Sequence, residues 1–131
     1  MRKILLDTNA YIAFLKGDEK VLAYLGQAGC VYLSVFVIGE LYAGFRAGEK
    51  EKENKQNLER FLTKSTVSMI EASQETAEIF GWIKDSLKRA GHPIPVNDVW
   101  IGAHALETGS ILLSYDRHFA HIPGLRLWDE L

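Results

Sequence analysis

Ile4-Leu5-Leu6-Asp7-Thr8-Asn9 lies almost at the start of the chain and decides how the rest is read. Three consecutive apolar residues ending in a carboxylate predict a buried strand that delivers an acid to its C-terminal end. Open α/β sheets gather their chemistry in the crevice beyond the carboxyl ends of the strands. Asp7 is therefore the first acid to follow.

Working outward, Tyr11, Ile12, Phe14 and Leu15 fall at helical spacing, with Thr8 as the expected N-cap and Gly17 as the stop. A second short helix follows, with Asp18 or Glu19 in its first turn and Val21, Leu22 and Leu25 as its stripe. Val31-Tyr32-Leu33 reads as a short strand, and Ser34 caps a nearly all-apolar helix from 35 to about 46, with Glu40 in its middle. Residues 49–64 form a charged helix with Leu58, Phe61 and Leu62 inward, and 67–70 a third strand. Ser73 opens a long amphipathic helix on Ala77, Phe80, Ile83 and Leu87, closed by Gly91, with no capping box expected between Ser73 and Thr76. Pro93-Ile94-Pro95 leads to Asn97 and Asp98, and a helix over 99–108 stops at Gly109. A strand over 111–114, a turn at Asp116 and an edge strand over 125–127 complete the chain. Strands alternating with helices predict an α/β fold, a mostly parallel sheet with helices on both faces, in one domain spanning 1–131.

The composition is that of an ordinary globular protein: 131 residues, 47% apolar and 24% charged. No apolar run is long enough to span a membrane, and the start lacks the pattern of a signal peptide, so no membrane is expected and the cytoplasm is the expected location. Cys30 is the single cysteine, which excludes an internal disulfide and a cysteine-based zinc site, and is expected to be a small buried hydrophobe. A formal net charge of -2 excludes a uniformly basic coat for nucleic acid, so any such partner has to be met by a local patch.

Most of the 17 acidic residues lie in solvated surroundings, as in Glu49-Lys50-Glu51-Lys52-Glu53. Four do not. Asp7 follows a buried strand, Glu40 interrupts an apolar helix, Asp98 opens an apolar helix after a proline-rich loop, and Asp116 comes just past a strand. A turn or cap role accounts for Asp7, Asp98 and Asp116 singly, but not for Glu40, because caps do not occur in mid-helix. An ionised carboxylate in apolar surroundings is costly unless paired or bound to metal, and apart from Arg117 beside Asp116 the neighbouring sequence supplies no cation. If the fold gathers the four, like charges raise their pKa values unless a cation joins them. A set of oxygen donors suits a hard ion, Mg²⁺ or Mn²⁺.

Leu6-Asp7-Thr8-Asn9, Ser34-Val35 with Gly39-Glu40-Leu41 and Gly44, Pro95-Val96-Asn97-Asp98 with Ile101-Gly102-Ala103, and Ser114-Tyr115-Asp116-Arg117-His118-Phe119 together resemble the PIN-domain ribonucleases, and among them the VapC toxins of toxin–antitoxin pairs. The likeness runs from residue 3 to about 128. It implies a three-layer α/β/α sandwich and a Mg²⁺- or Mn²⁺-dependent endoribonuclease that hydrolyses RNA phosphodiester bonds with water. On this likeness Asp7 and Asp98 are the principal metal ligands, Glu40 is the third acid, acting directly or through water, and Asp116 is the fourth and more variable one. Thr8, Asn9, Asn97 and Ser114 are expected to steady the carboxylates or the water around the ion. The family also implies a small cognate antitoxin docking near the aromatic-rich helices between Thr8 and Arg46, and a homodimer.

Other readings are a catalytically inactive RNA- or protein-binding module on the same fold, a non-toxin RNA-processing nuclease, and a phosphoacceptor of the receiver type. The last wants adjacent acids after the first strand, where this chain has Thr8-Asn9. Among weaker signals, Lys84, Lys88 and Arg89 form a basic strip, with His92 just beyond, that together with Arg117 is a candidate for contact with RNA phosphates. Residues 46–64 read as a solvated, salt-bridged face. His118 and His121 stand at i, i+3 without a third nitrogen or sulfur ligand, His104 reads as packed or surface-exposed, and Trp82, Trp100 and Trp128 read as core or interface.

Overall fold

The computed structural model describes residues 2–128; Met1 and residues 129–131, the two ends of the expected domain, lie outside the described residues. Strand β1 (Arg2–Leu6) leads into helices α1 (Thr8–Leu15) and α2 (Glu19–Gly26), and β2 (Ala28–Ser34) into α3 (Val35–Ala47) and α4 (Glu51–Leu62). β3 (Val67–Ile70) leads into α5 (Gln74–Ala90) and α6 (Val96–Thr108), and β4 (Ile111–Leu113) passes through a 3-10 turn (Arg117–His121) to β5 (Arg126–Leu127). The strands form one sheet in the order β3-β2-β1-β4-β5, and every pairing is parallel.

Successive side chains of a strand point to opposite faces of the sheet. Ile4, Leu5 and Leu6 are all fully buried, and Ile111, Leu112 and Leu113 are buried too, so helices cover both faces in an α/β/α sandwich. From β1 the chain steps outward to β2 and β3, then returns to the other side for β4 and β5. The strand order therefore reverses between β1 and β4, and such a switch point opens a crevice at the strand ends. Leu6 pairs with both Leu33 and Leu113, which brings three strands to the same level, and the Asp7 N–H donates to the Leu113 carbonyl at 3.2 Å.

Local structure departs from the sequence reading in five places. Asp7, not Thr8, caps α1, its side chain accepting from the Ala10 N–H; Thr8 is already helical and its hydroxyl is used elsewhere. Ser73 and Thr76 do form a reciprocal capping box, because a threonine hydroxyl reaches back to the cap N–H as a glutamate would. Helix α6 begins at Val96, so Asn97 and Asp98 lie in its first turn and Asp98 is no cap; Pro95 sets the entry, its carbonyl accepting from the Asp98 and Val99 N–H groups. Finally, β2 runs from Ala28 and α4 only over Glu51–Leu62.

The aromatic residues divide by position. Trp100 is stacked between Phe36 and Phe80, with centroids at 5.0 and 4.0 Å, and joins α3, α5 and α6. Trp128 is buried, whereas Trp82 is 51% exposed and is not core. Cys30 is half-buried rather than fully enclosed. No described helix is long and apolar enough to cross a membrane. Gly91 and Gly109 end α5 and α6, as the sequence reading expects, and both do so in the left-handed conformation.

Gly102 serves packing instead. A Cβ there would lie 2.6 Å from Cδ1 of Ile122, a side chain that is itself 2% exposed. Gly102→Ala is expected to cost about 1–3 kcal/mol by overpacking. Adding Ile122→Val, which removes the clashing methyl, should return most of that loss, and urea unfolding of both single variants and the double variant measures the coupling.

Candidate active site

Asp7, Glu40, Asp98 and Asp116 all line one cavity of about 180 Å³, together with Thr8, Asn9 and Ile101. No lysine or arginine is in that lining. The acids arrive from four separate stretches: the end of β1, the middle of α3, the first turn of α6, and the loop after β4. The cavity sits at the switch point between β1 and β4.

Asp7 is the most enclosed of the four at 5% exposure. One carboxylate oxygen accepts from the Ala10 N–H at 2.8 Å, and the other accepts a short hydrogen bond from the Ser114 hydroxyl. The Ser114 oxygen in turn accepts from the Asp116 N–H at 2.9 Å, so one buried hydroxyl ties the acid after β1 to the acid after β4. Glu40 is exposed, contrary to the impression of a buried mid-helix acid: α3 turns Val37, Ile38, Leu41 and Phe45 into the core and Glu40 toward the cavity. Its carboxylate accepts from the Thr8 hydroxyl at 2.6 Å.

Burial pushes the Asp7 carboxyl up from 3.8 to about 6, and the negative charges of Asp98 and Asp116 add to this, while the Ser114 and Ala10 hydrogen bonds pull it back. Asp98 is also raised, first by burial and then by Glu40 and Asp116, against the lowering influence of His118. Two of the four acids, Asp7 and Asp98, are thus raised, chiefly by burial and with like charges adding to it.

His118 joins this site, and the sequence reading missed it. Its Nε2 lies 2.7 Å from an Asp98 oxygen and its Nδ1 2.8 Å from an Asp116 oxygen. The imidazole thus bridges the acid in the first turn of α6 and the acid after β4. Asp98, Asp116 and His118 offer ligand atoms all within 4.8 Å of one another. The signal was the spacing in Asp116-Arg117-His118, which a 3-10 turn folds back onto Asp98. His121 does not join this group; it stacks on His92 at 4.1 Å.

A buried support lies behind the acids. His104 is fully buried, with Nδ1 at 2.8 Å from the Ser34 hydroxyl and Nε2 at 3.2 Å from the Glu71 carbonyl. A carbonyl can only accept, so Nε2–H donates to Glu71 and Nδ1 accepts from Ser34, which leaves the Ser34 oxygen to cap α3 through the Phe36 N–H. Burial holds the His104 imidazole below its usual range, in keeping with that neutral form.

The other expected site residues fall on both sides of this boundary. Thr8, Asn9 and Ser114 are at the cavity or bonded to its acids. Asn97 shares the first turn of α6 with Asp98 but does not line the cavity. Arg117 is exposed at the start of the 3-10 turn, and Lys84, Lys88 and Arg89 lie on α5 outside the cavity.

Comparison with known proteins agrees with this fold. Residues 4–125 match the PIN domain family. Ribonuclease VapC2 of Haemophilus influenzae is 35% identical over 129 residues, covering 96% of each chain. Ribonuclease VapC2 of Rickettsia felis is 29% identical, covering 96% of this chain and 98% of the relative. Among solved structures, DNA-bound VapBC from Salmonella typhimurium superposes with a TM-score of 0.85 at 27% identity, over 97% of both chains. VapBC2 from Rickettsia felis, bound to a DNA fragment from its promoter, superposes with a TM-score of 0.84 at 26% identity, over 95% of this chain and 96% of the other.

The raised Asp7 pKa has a definite sign. The folded protein holds this proton more tightly than the unfolded chain, so the resulting stability is present at low pH and lost as pH rises from about 3.8 through about 6. About two pH units at roughly 1.4 kcal/mol each put the loss on the order of 3 kcal/mol. Asp7→Asn keeps a competent cap without the charge. It is expected to raise stability in EDTA at pH 7.5 by about 1–3 kcal/mol and to flatten the fall between pH 4 and 6, as read by thermal melts across pH.

Proposed function

This chain belongs to the PIN-domain family, and from that membership we propose that it is a metal-dependent endoribonuclease, the toxin of a type II toxin–antitoxin pair. The observation that carries the reading is the convergence of Asp7, Glu40, Asp98 and Asp116 on one cavity without a lysine or arginine in its lining. Such an oxygen-rich set fits Mg²⁺ or Mn²⁺, with Asp7 and Asp98 as the principal holders and Glu40 and Asp116 completing the charge. When bound, the ion supplies Lewis acidity toward a phosphodiester and lowers the pKa of water.

The chain's own residues set the geometry for that chemistry. Ser114 and the Ala10 N–H fix both oxygens of Asp7, so the acid cannot rotate away. Thr8 holds the otherwise exposed Glu40 toward the cavity, and Asn9 contributes an uncharged amide to its wall. His118 bridges Asp98 and Asp116. A single Mg²⁺ is commonly held by one or two carboxylates, so four leave room for a second ion arriving with substrate.

The partner reading rests on a neighbouring groove of about 620 Å³ between α1 and α3. Ile12, Leu15, Leu41 and Phe45 line it, with Thr8 and Glu40 among its walls. Ile12 and Leu15 are 36% and 44% exposed, an apolar surface suited to an amphipathic segment of an antitoxin. The VapBC complexes that this chain resembles support an antitoxin as the partner class.

RNA cleavage with Mg²⁺ or Mn²⁺ tests the reading. Asp7→Asn and Asp98→Asn are expected to lose at least about 100-fold in rate, and Ser114→Ala about 10–100-fold. Mg²⁺ should raise the melting temperature of the wild type and not that of Asp7→Asn. Equal cleavage by wild type and Asp7→Asn, with or without EDTA, would refute the scheme.

A further inference from the structure

A second hollow, of about 300 Å³, lies between α5 and the loop that enters α6. Its lining is Lys84, Leu87, Lys88, Pro93, Ile94 and Val99: an apolar slot with two ammonium groups. Lys84 and Lys88 are one helical turn apart on α5, so they share a face with Leu87 between them. Both are exposed, and neither has an ion-pair or hydrogen-bond partner among the described residues. Arg89 differs, because it is paired with Asp85 at 2.8 Å.

The hollow and the acidic cavity have no lining residue in common, but the chain links their walls in two ways. Val99, fully buried in its wall, follows Asp98 directly along α6. The loop carrying Pro93 and Ile94 begins at His92, whose ring stacks on His121, and His121 ends the 3-10 turn from which His118 reaches Asp98 and Asp116.

A cavity walled by four carboxylates repels a polyanion, and the chain as a whole is negative, so a bound strand needs unneutralised cations close by. Lys84 and Lys88 meet that requirement beside an apolar slot, and the slot's volume is at the low end for small-molecule sites (roughly 300–1,000 Å³), suited to one planar group. Single-stranded RNA offers that combination, with phosphates at regular intervals and bases that splay out of the strand.

We propose that Lys84, Lys88 and the slot walled by Leu87, Ile94 and Val99 form a subsite for a nucleotide flanking the scissile phosphodiester, an assignment that rests on the ribonuclease reading above. The base enters the apolar slot, and the two ammonium groups hold the adjoining phosphates. Arg89, tied to Asp85, takes no part.

Fluorescence anisotropy tests this with the full chain carrying Asp7→Asn to prevent cleavage. The probes are a labelled oligouridylate and an abasic oligomer with the same phosphates and no bases. Lys84→Ala with Lys88→Ala is expected to weaken both probes and to lower the salt slope, log K against log salt, by about 1.4, or roughly 0.7 per phosphate contact. Ile94→Ala should weaken the oligouridylate about tenfold and leave the abasic oligomer unchanged. An unchanged salt slope in the double lysine variant, while the wild type still cleaves RNA, overturns the subsite and leaves the ribonuclease reading intact. Equal effects of Ile94→Ala on the two probes overturn the base slot. A wild type that neither binds nor cleaves RNA with Mg²⁺ or Mn²⁺ overturns the ribonuclease reading, and the subsite with it.

Discussion

The carboxylate of Asp7, held almost wholly out of water, is the constraint on which the other features depend. Its two oxygens cap α1 and accept from Ser114, while its main-chain N–H continues the ladder to β4. One residue thereby joins the central strand, the first helix and the neighbouring strand at the switch point. Helix capping alone needs no such burial, since an asparagine caps as well. Burial beside Asp98 and Asp116 instead keeps the carboxyl poorly solvated, with its pKa near 6. A site that costs stability when empty would gain it back from a cation that filled it.

Around Asp7, contacts that look structural serve to aim the acids. The Ser114 hydroxyl is braced from behind by Trp128, whose indole N–H donates to the Ser114 carbonyl at 2.8 Å. Trp128 is held in turn by Tyr24, which donates to its carbonyl at 2.8 Å, and by the Lys20 ammonium 4.3 Å over its ring. On the opposite side His104 fixes Ser34, Ser34 caps α3, and α3 carries Glu40. Two acids are thus held through chains of contacts, one running through Trp128 to Tyr24 and the other through His104 to the Glu71 carbonyl. Such buried networks place functional groups well only when every member is satisfied, and here they are.

What was legible in the sequence is what local pattern encodes. The apolar runs at Ile4-Leu5-Leu6 and Ile111-Leu112-Leu113 announced central strands, Gly91 and Gly109 announced helix ends, and the four acids stood out by their apolar neighbours. The rest depends on contacts between distant segments. Glu40 looked buried because an apolar helix gives no sign of which flank borders a cavity. His118 looked idle because Asp98, twenty residues away, comes to it only in the folded chain. Helix α6 starts earlier than expected because Pro95 both ends an extended stretch and opens a helix, and sequence does not say which role extends further.

Thr8 and Glu40 belong to two surfaces at once, the wall of the acidic cavity and the wall of the apolar groove between α1 and α3. Occupants of those two spaces would be coupled wherever either one shifts that shared pair. Whatever draws the Thr8–Glu40 pair toward the groove alters the affinity of the cavity, and by reciprocity the filled cavity alters the affinity of the groove by the same factor. The two spaces meet at one contact, a hydrogen bond of 2.6 Å between a hydroxyl and a carboxylate.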